Sequence, residues 1–319
     1  MKKSKKYLKF LALMVIVAFT IISFSSCSDD DDGMIDPPQM MTIADIVANN
    51  ANFSMLKTAL ERTGLDVVLG GDGEFTVFAP DNDAFGAAGL SNDDLENLPV
   101  DTLKDILLYH TIASEVKAAD VPAGPNAGVE AANGVMVYLT NNSQGVFVNG
   151  IQVNQADIEA SNGVVHVIGN VLMPPVGNIV ETAQSNEALS YLVAAVLRAS
   201  EGQTNVAALL SGTDVFTVFA PTNAAFQAAG FATIADINNA DPDALTAILT
   251  YHVTNGRIFS SDLMDGQEVP MLNGDTTMIG LVGGATVMGV NNTEASNIII
   301  TNIVATNGVV HVIDQVLLP

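Results

Sequence analysis

Four histidines are the residues of this sequence best suited to metal or acid–base chemistry, because imidazole titrates near neutral pH. They are His110, His166, His252 and His311, and each has apolar or aromatic neighbours. A zinc site needs several ligands that converge at close range. No HxxxH pair and no nearby cysteine accompanies these histidines. The pattern favours hydrogen-bonded structural histidines, and we expect no metal and no cofactor.

Motifs for covalent or phosphate chemistry are absent from the sequence as well. It has no GxSxG elbow, no phosphate loop and no dinucleotide fingerprint. The glycine-rich stretch at 69–74 is typical of a turn, and Asp93-Asp94 is typical of a solvated surface. We therefore predict no catalytic residue and no enzymatic activity.

An export signal is predicted at the N-terminus. Residues 1–9 are basic, residues 10–22 form an uncharged apolar run, and small residues then lead to Cys27. This is the order of a secretory signal. The apolar run is shorter than the about 20 residues of a membrane-spanning helix. We assign residues 1–26 to a signal peptide and residues 27–40 to an acidic linker.

Cys27 is the only cysteine of the chain. The segment resembles a bacterial lipoprotein signal with Phe24-Ser25-Ser26-Cys27 as its processing box. That resemblance implies that Cys27 becomes an acylated N-terminus, which anchors the protein in a membrane. The following run, Asp29 to Asp32, resembles the tag that directs lipoproteins to the outer face of the outer membrane. A solvated spacer is the alternative.

The charge of the chain excludes one class of partner. The formal net charge is −24, from 35 acidic and 11 basic residues, and five of the lysines lie within the first nine residues. Because such an acidic surface repels phosphate backbones, we expect no nucleic-acid partner. Acidity keeps a protein soluble, and attraction to cations or basic partners is the alternative.

The rest of the sequence contains an internal repeat. The repeated blocks are FTVFAPDNDAF at 75–85 and FTVFAPTNAAF at 216–226, ILLYH at 106–110 and ILTYH at 248–252, and ASNGVVHVIGNVLMP at 160–174 and ATNGVVHVIDQVLLP at 305–319. Three blocks in the same order at nearly equal offsets indicate a tandem duplication of a whole domain. We place the first domain at 41–174 and the second at 175–319.

Local patterns predict which elements position these blocks. Apolar residues at helical spacing predict helices early in each copy, at Ile43, Ile46, Val47, Phe53, Leu56 and Leu60 and at Leu189, Leu192, Val193, Val196 and Leu197. FTVFA predicts a buried strand that a proline ends, after which Asp81 and Thr222 can cap a helix.

Each copy then ends in short strands. The Asn162-Gly163 and Asn307-Gly308 pairs predict hairpins in which both turn positions take a positive φ. In the following VVHVI segment the side chains alternate between faces, which predicts that His166 lies at least half buried between Val164 and Ile168. The order of helices followed by strands indicates an α+β fold.

These blocks resemble the motifs of the fasciclin domain family, and the resemblance covers almost everything after Met41. The first block matches the family's first motif, Tyr109-His110 and Tyr251-His252 match its Tyr-His motif, and NGVVHVI matches its second motif. The resemblance implies two tandem domains, each with helices packed on a wedge-shaped β-sandwich. It also implies an extracellular adhesion or ligand-binding role without catalysis.

In vertebrate members of the family, the Tyr-His region and an Asp-Ile pair have been linked to integrin binding. The resemblance therefore implies a binding surface at Tyr109, His110, Asp157, Ile158, Tyr251 and His252. In the second copy, Asn302-Ile303 stands in place of the Asp-Ile pair.

Three functions remain open at this point. We expect an adhesion lipoprotein that faces the cell exterior and binds an extracellular protein or polysaccharide. A surface protein that binds glycans or nutrients is the second candidate, and the low aromatic content counts against it. A hydrolase is the third candidate, but it would require converging acid and base groups that the sequence does not indicate.

Overall fold

The secondary structure repeats between the two copies as the sequence does. The structure is a computed structural model that describes residues 40–319, which form one compact unit. The predictions for the signal peptide, Cys27 and the run from Asp29 to Asp32 lie outside the described residues. Within residues 40–319, no helix has both the length and the hydropathy needed to cross a membrane.

The first copy begins with helices and continues with strands. Its helices are α1 (Ile43–Asn49), α2 (Ser54–Thr63), α3 (Leu65–Leu69), α4 (Asn82–Ala87), α5 (Asn92–Asn97) and α6 (Val100–Tyr109), with 3-10 helices at Ala51–Phe53 and Ala118–Asp120. Its strands are β1 (Phe75–Pro80), β2 (Thr111–Ile112), β3 (Gly124–Glu130), β4 (Met136–Asn142), β5 (Gly145–Val148), β6 (Ile151–Ala160) and β7 (Gly163–Ile168).

The second copy has the same order of elements. Its helices are α7 (Ile179–Gln184), α8 (Ser190–Ala199), α9 (Val206–Leu210), α10 (Asn223–Ala228), α11 (Ile234–Asn238) and α12 (Pro242–Thr250), with 3-10 helices at Glu187–Leu189 and Ser260–Asp262. Its strands are β8 (Phe216–Pro221), β9 (Val253–Asn255), β10 (Glu268–Pro270), β11 (Thr276–Gly280), β12 (Thr286–Met288), β13 (Ser296–Ala305) and β14 (Gly308–Ile313).

Each copy builds one seven-stranded sheet, in the order β2-β1-β7-β6-β5-β4-β3 and β10-β11-β12-β13-β14-β8-β9. The two repeated motifs pair as parallel neighbours, β1 with β7 and β8 with β14, and the other pairs are antiparallel. The repeated motifs therefore form interior strands that have a neighbour on both sides, which agrees with their being apolar on both faces.

The long strand β6 divides the first sheet into two halves that pack against each other. Its register with β7 shifts twice between Val153 and Ile158, and such irregularities bend a strand. Phe78 and Ile168 from one half share an apolar cluster with Leu139 from the other half. The second sheet has a matching cluster. This mixed architecture confirms the predicted α+β fold.

The helices cover the outer face of each central pair of strands. Val165 and Val167 pack with the helices, whereas Ile168 packs between the two halves of the sheet. The predicted alternation along VVHVI is thereby confirmed. The predicted helix caps are confirmed too, since Asp81 Oδ1 accepts the Ala84 N–H at 2.8 Å and Thr222 Oγ1 accepts the Ala225 N–H at 3.2 Å.

The hairpins before β7 and β14 exist, but the prediction that both turn positions take a positive φ is wrong. Positive φ is confined to Gly163 of the Asn162-Gly163 pair, and Gly163 is already the first residue of β7. A Cβ at Gly163 would lie 1.9 Å from the Phe75 carbonyl oxygen. Close approach of two strands, together with this positive φ, therefore requires the glycine. The Asn-Gly pair with two positive φ angles is Asn149-Gly150, between β5 and β6.

Candidate functional site

The two tyrosines of the Tyr-His motif lie in the core and are fully buried. Tyr109 Oη donates to the Met136 carbonyl at 3.1 Å and accepts from Asn149 Nδ2 at 3.0 Å. Burial raises the pKa of Tyr109 to about 12. Tyr251 Oη donates to the Thr276 carbonyl at 2.7 Å, and burial raises its pKa as well. Each tyrosine thus ties the end of a helix to the sheet.

His110 and His252 join the end of a helix to the last segment of their own domain. His110 Nδ1 lies 2.8 Å from the Ile106 carbonyl, and Nε2 accepts the Leu172 N–H at 2.8 Å. The ring therefore donates at Nδ1 and is neutral. His252 makes the same two bonds with Ile248 and Leu317. Burial lowers the pKa of each histidine to about 4.

His166 and His311 join the central strand to the segment after β2 or β9. His166 Nδ1 accepts the Asp157 N–H at 3.2 Å, and Nε2 donates to the Val116 carbonyl at 2.9 Å. The ring stacks on Phe78 with centroids 5.5 Å apart. His311 repeats these contacts, and burial lowers its pKa to about 4. The prediction that His166 is at least half buried is confirmed.

These contacts assign all four histidines and both tyrosines to the interior. A ligand that touched Tyr109, His110, Tyr251 or His252 would have to break bonds that hold each domain together. We therefore carry only Asp157 and Ile158 forward as proposed binding residues. In residues 40–319, no group of three or more His, Cys, Asp or Glu side chains is placed to hold a metal ion.

Asp157 lies at the surface of the first domain on the irregular part of β6. Its φ is 57°, its side chain is 39% exposed, and its Oδ1 accepts the Ala118 N–H at 2.9 Å. Ile158 beside it is half-buried against the helix-side core. Lys117 is 3.1 Å from Glu159 and 3.5 Å from Glu115. Asp157 therefore belongs to an exposed surface that also carries Glu115, Lys117 and Glu159.

Asn302 is the second domain's counterpart of Asp157, and it has a different partner. Its φ is 64° and its Oδ1 accepts the Ser260 N–H at 2.8 Å, so the local geometry is the same. Its Nδ2, however, donates to the carbonyl of Gly150 in the first domain at 3.2 Å. The same surface is thus open in the first domain and covered in the second.

Further side chains complete the contact between the domains. Asn126 Nδ2 donates to the Arg257 carbonyl at 2.6 Å and to Asp262 Oδ2 at 3.1 Å. Asn142 Nδ2 donates to the Ser261 carbonyl at 3.1 Å. The Arg257 guanidinium also donates to the carbonyls of Ala305, Thr306 and Gly308 within its own domain.

An aromatic group lies at the centre of this contact. The Tyr138 and Phe259 rings have centroids 6.1 Å apart, and the Arg257 guanidinium lies over the Tyr138 ring. The sequence patterns did not indicate these residues. A signal was present in the sequence, because counting on from the Tyr-His motifs aligns Glu115 with Arg257 and Lys117 with Phe259. The bonds of His166 and His311 give the same alignment in the structure. Differences between two copies of one motif mark surfaces with different partners.

Comparison with known proteins agrees with this architecture. The sequence profile of the fasciclin domain matches residues 51–174 and 189–319. Protein sll1483 of Synechocystis sp. is 39% identical over 137 residues, which are 42% of this chain and 74% of that protein. Periostin of Homo sapiens is 32% identical over 263 residues, which are 78% of this chain and 29% of periostin. The chain thus spans less than a third of periostin.

Two further similarities concern proteins at cell surfaces. Cell surface glycolipoprotein MPB83 of Mycobacterium bovis is 34% identical over 141 residues, which are 44% of this chain and 60% of that protein. A solved FAS1 domain pair from the insect cell adhesion molecule Fasciclin I aligns with 86% of this chain and 95% of that chain, at 21% identity and a TM-score of 0.40. Because the two matches to the fasciclin profile together cover most of this chain, the chain belongs to the fasciclin domain family and carries two such domains in tandem.

Proposed function

We propose that this protein is a non-enzymatic adhesion lipoprotein of the cell surface, and that the charged surface around Asp157 contacts its extracellular ligand. Fasciclin domains occur in cell-adhesion proteins, which agrees with an adhesive role in a coarse sense. The observation that carries the proposal is the asymmetry between Asp157 and Asn302. One of the two equivalent surfaces is occupied by the neighbouring domain, and the other is free for an external partner.

The contact between the domains supports this role. Bonds from Asn126, Asn142 and Asn302 cross the boundary, and the ring of Tyr138 is enclosed by groups of the second domain. The two domains can therefore carry load as one unit, without internal rearrangement at their boundary. Lower conformational freedom also reduces the entropy lost when a ligand binds.

The anchor is proposed to be an acylated Cys27. Acyl chains supply about 0.8 kcal/mol per buried methylene, so more than one chain gives stable attachment. MPB83, which shares a fasciclin domain with this chain, is named as a glycolipoprotein of the cell surface. The acidic run Asp29 to Asp32 is proposed to direct the protein to the outer face of the outer membrane. The acidic linker would then separate the domains from the membrane.

The test uses cells that display the full chain and measures their attachment to plates coated with extracellular proteins or polysaccharides. Asp157→Asn should reduce the attached fraction several-fold, because it removes the charge and retains the side-chain shape. Asp93→Asn is the matched control, since Asp93 is an exposed carboxylate on α5 with an equal charge change. Equal attachment of cells with and without the chain would overturn the proposal, as would equal losses in the two variants.

A further inference from the structure

A cleft of 430 Å³ lies between the two domains, beside the Asn302–Gly150 hydrogen bond. Its floor is the connecting segment 170–176. The first domain supplies Ala88 and Leu90 after α4 and Asn149 and Ile151 around the start of β6. The second domain supplies residues of α7 and the 301–304 part of β13. The volume lies within the about 300–1,000 Å³ of small-ligand sites.

The lining of this cleft differs in charge from the rest of the protein. The chain has 35 acidic residues, yet none of the described residues that line the cleft is charged. The polar groups are side-chain amides and hydroxyls, and the remainder is aliphatic. A cation would find no carboxylate ligand there, and an anion would be repelled by the surrounding acidic surface. The lining therefore selects an uncharged ligand.

Two amide groups are held ready to donate. Asn170 Oδ1 accepts the Val171 N–H at 2.8 Å, and Asn186 Oδ1 accepts the Ala188 N–H at 3.0 Å. These bonds fix both side chains, and neither Nδ2 donates to another group within residues 40–319. One donor thus comes from the connecting segment and the other from the second domain. A ligand that accepts from both would bridge the two.

Thr182 adds a hydroxyl that lacks a partner. It lines the cleft and is 4% exposed, and its Oγ1 has no hydrogen-bond partner within the described part of the chain. The equivalent helix of the first copy has the buried Ile46 at this position, because the capping boxes of α1 and α7 align. An unbonded buried hydroxyl is destabilising. Threonine in a helix adopts either of two χ1 rotamers, so the hydroxyl can turn to meet a bound group.

We propose that this cleft binds an uncharged saccharide unit. Sugar hydroxyls both donate and accept hydrogen bonds, so they can pair with the side-chain amides and hydroxyls of the cleft. These bonds do not require a charged partner. The C–H faces of a sugar ring would pack on the aliphatic side chains of Leu90, Ile151 and Val176. The site is separate from the Asp157 surface, so the protein would hold a glycan in addition to its adhesive contact.

The test uses the fragment 33–319, which retains the whole compact unit of residues 40–319 with its cores. Calorimetric titration and ligand-detected NMR measure the binding of lactose and cellobiose. Sialyllactose, which is lactose with an added negatively charged sugar, is the charged comparison. Lactose or cellobiose should bind, and sialyllactose should bind at least tenfold more weakly. Asp157→Asn should bind the neutral sugars as the unchanged protein does.

Three variants test whether the sugar binds in the cleft. Thr182→Val should weaken sugar binding about tenfold and raise the melting temperature, because it removes the unbonded hydroxyl at nearly constant volume. Thr182→Ser should retain binding, since it keeps the hydroxyl. Ala88→Trp should block the cleft from its exposed rim without touching Thr182 and abolish binding. Reduced binding in Thr182→Val together with a higher melting temperature cannot come from unfolding.

Four outcomes would overturn the proposal. The first three are no binding of either neutral sugar, tighter binding of sialyllactose, and binding that Thr182→Val and Ala88→Trp leave unchanged. The fourth is binding of an uncharged Gly-Ser peptide, titrated in the same way, in place of the sugars. Because Asp157→Asn is included, a failure of this proposal is distinguishable from a failure of the adhesive one.

Discussion

The guanidinium carbon of Arg257 lies 4.1 Å from the centroid of the Tyr138 ring, across the boundary between the two domains. Both partners are held independently of each other, Arg257 by carbonyls of its own domain and Tyr138 by the β4 ladder. Burial lowers the pKa of Arg257. A guanidinium nevertheless stays charged at the pH of ordinary experiments, because arginine is the most basic of the side chains.

A double-mutant cycle should measure this contact. We expect Arg257→Met and Tyr138→Leu to couple by about 0.5–2 kcal/mol, the range for cation–π pairs. Urea unfolding of both single variants and the double variant gives the coupling energy. The same cycle with Lys57, which is exposed on α2, in place of Arg257 serves as the control. Strictly additive effects at Arg257 and Tyr138 would show that the contact contributes nothing.

The buried histidines predict a loss of stability on mild acidification. His110, His252 and His311 have folded pKa values of about 4, below the ordinary value of 6.5. The unfolded chain therefore binds more protons between pH 6.5 and pH 4. The stabilising contribution is complete above pH 6.5 and is lost as the pH falls through that window. The expected slope is about 1.4 kcal/mol per pH unit for each histidine that titrates.

Urea unfolding at pH 7, 6 and 5 checks this expectation. His110→Gln should flatten the pH dependence of the first domain and lower its stability at pH 7, because glutamine cannot reproduce both bonds of the ring. The slope of the second domain should stay unchanged in that variant. A pH dependence that is the same in both domains of His110→Gln would contradict the prediction.

Gly163→Ala should destabilise the first domain by more than about 1 kcal/mol. The added Cβ would meet the Phe75 carbonyl of a paired strand, and φ at this position is 137°. Gly86→Ala is the matched control, since a Cβ there meets no atom within 4 Å in the described structure. That change lies inside α4 and should stabilise by about 0.5–1 kcal/mol. Thermal unfolding followed by circular dichroism distinguishes the two.

Cys27→Ala should release the protein from the membrane fraction or leave it as the uncleaved precursor. Without a thiol at this position there is no atom to acylate, and the proposed anchor is lost. Fractionation with an antibody against the domains and the mass of the mature N-terminus provide the measurement. Ser28→Ala, one residue further on, is the control. Normal processing and membrane retention in Cys27→Ala would refute the anchor.

The fold could be predicted from the sequence because its motifs are local. The strand, the proline that ends it and the cap that follows occupy consecutive positions, as at Pro80 and Asp81. The alternation around His166 also depends only on neighbours. The close contact at Gly163 shows the limit of such patterns, because the backbone that it approaches lies at Phe75, far away in the sequence.

The candidate site was harder to predict for a physical reason. The Tyr-His motif recurs in both copies, and recurrence by itself does not separate a buried function from an exposed one. Only the bonds of Tyr109 and His110 reveal that the motif maintains the domain. The contact between the domains depends instead on residues that differ between the copies, such as Asn302 against Asp157. A surface made from different parts of the chain leaves no periodic trace in the sequence.

The contact between the domains also limits how the protein can grow. The first domain carries Glu115 and Lys117 where the second uses Arg257 and Phe259. Because Tyr109 and Tyr251 bond to matching strands, the exposed Met278 of β11 is the counterpart of Tyr138. Neither outer end of the pair can therefore reproduce the contact made at its middle. A further fasciclin domain at either end, or a second chain added end to end, would therefore need a junction built from different side chains.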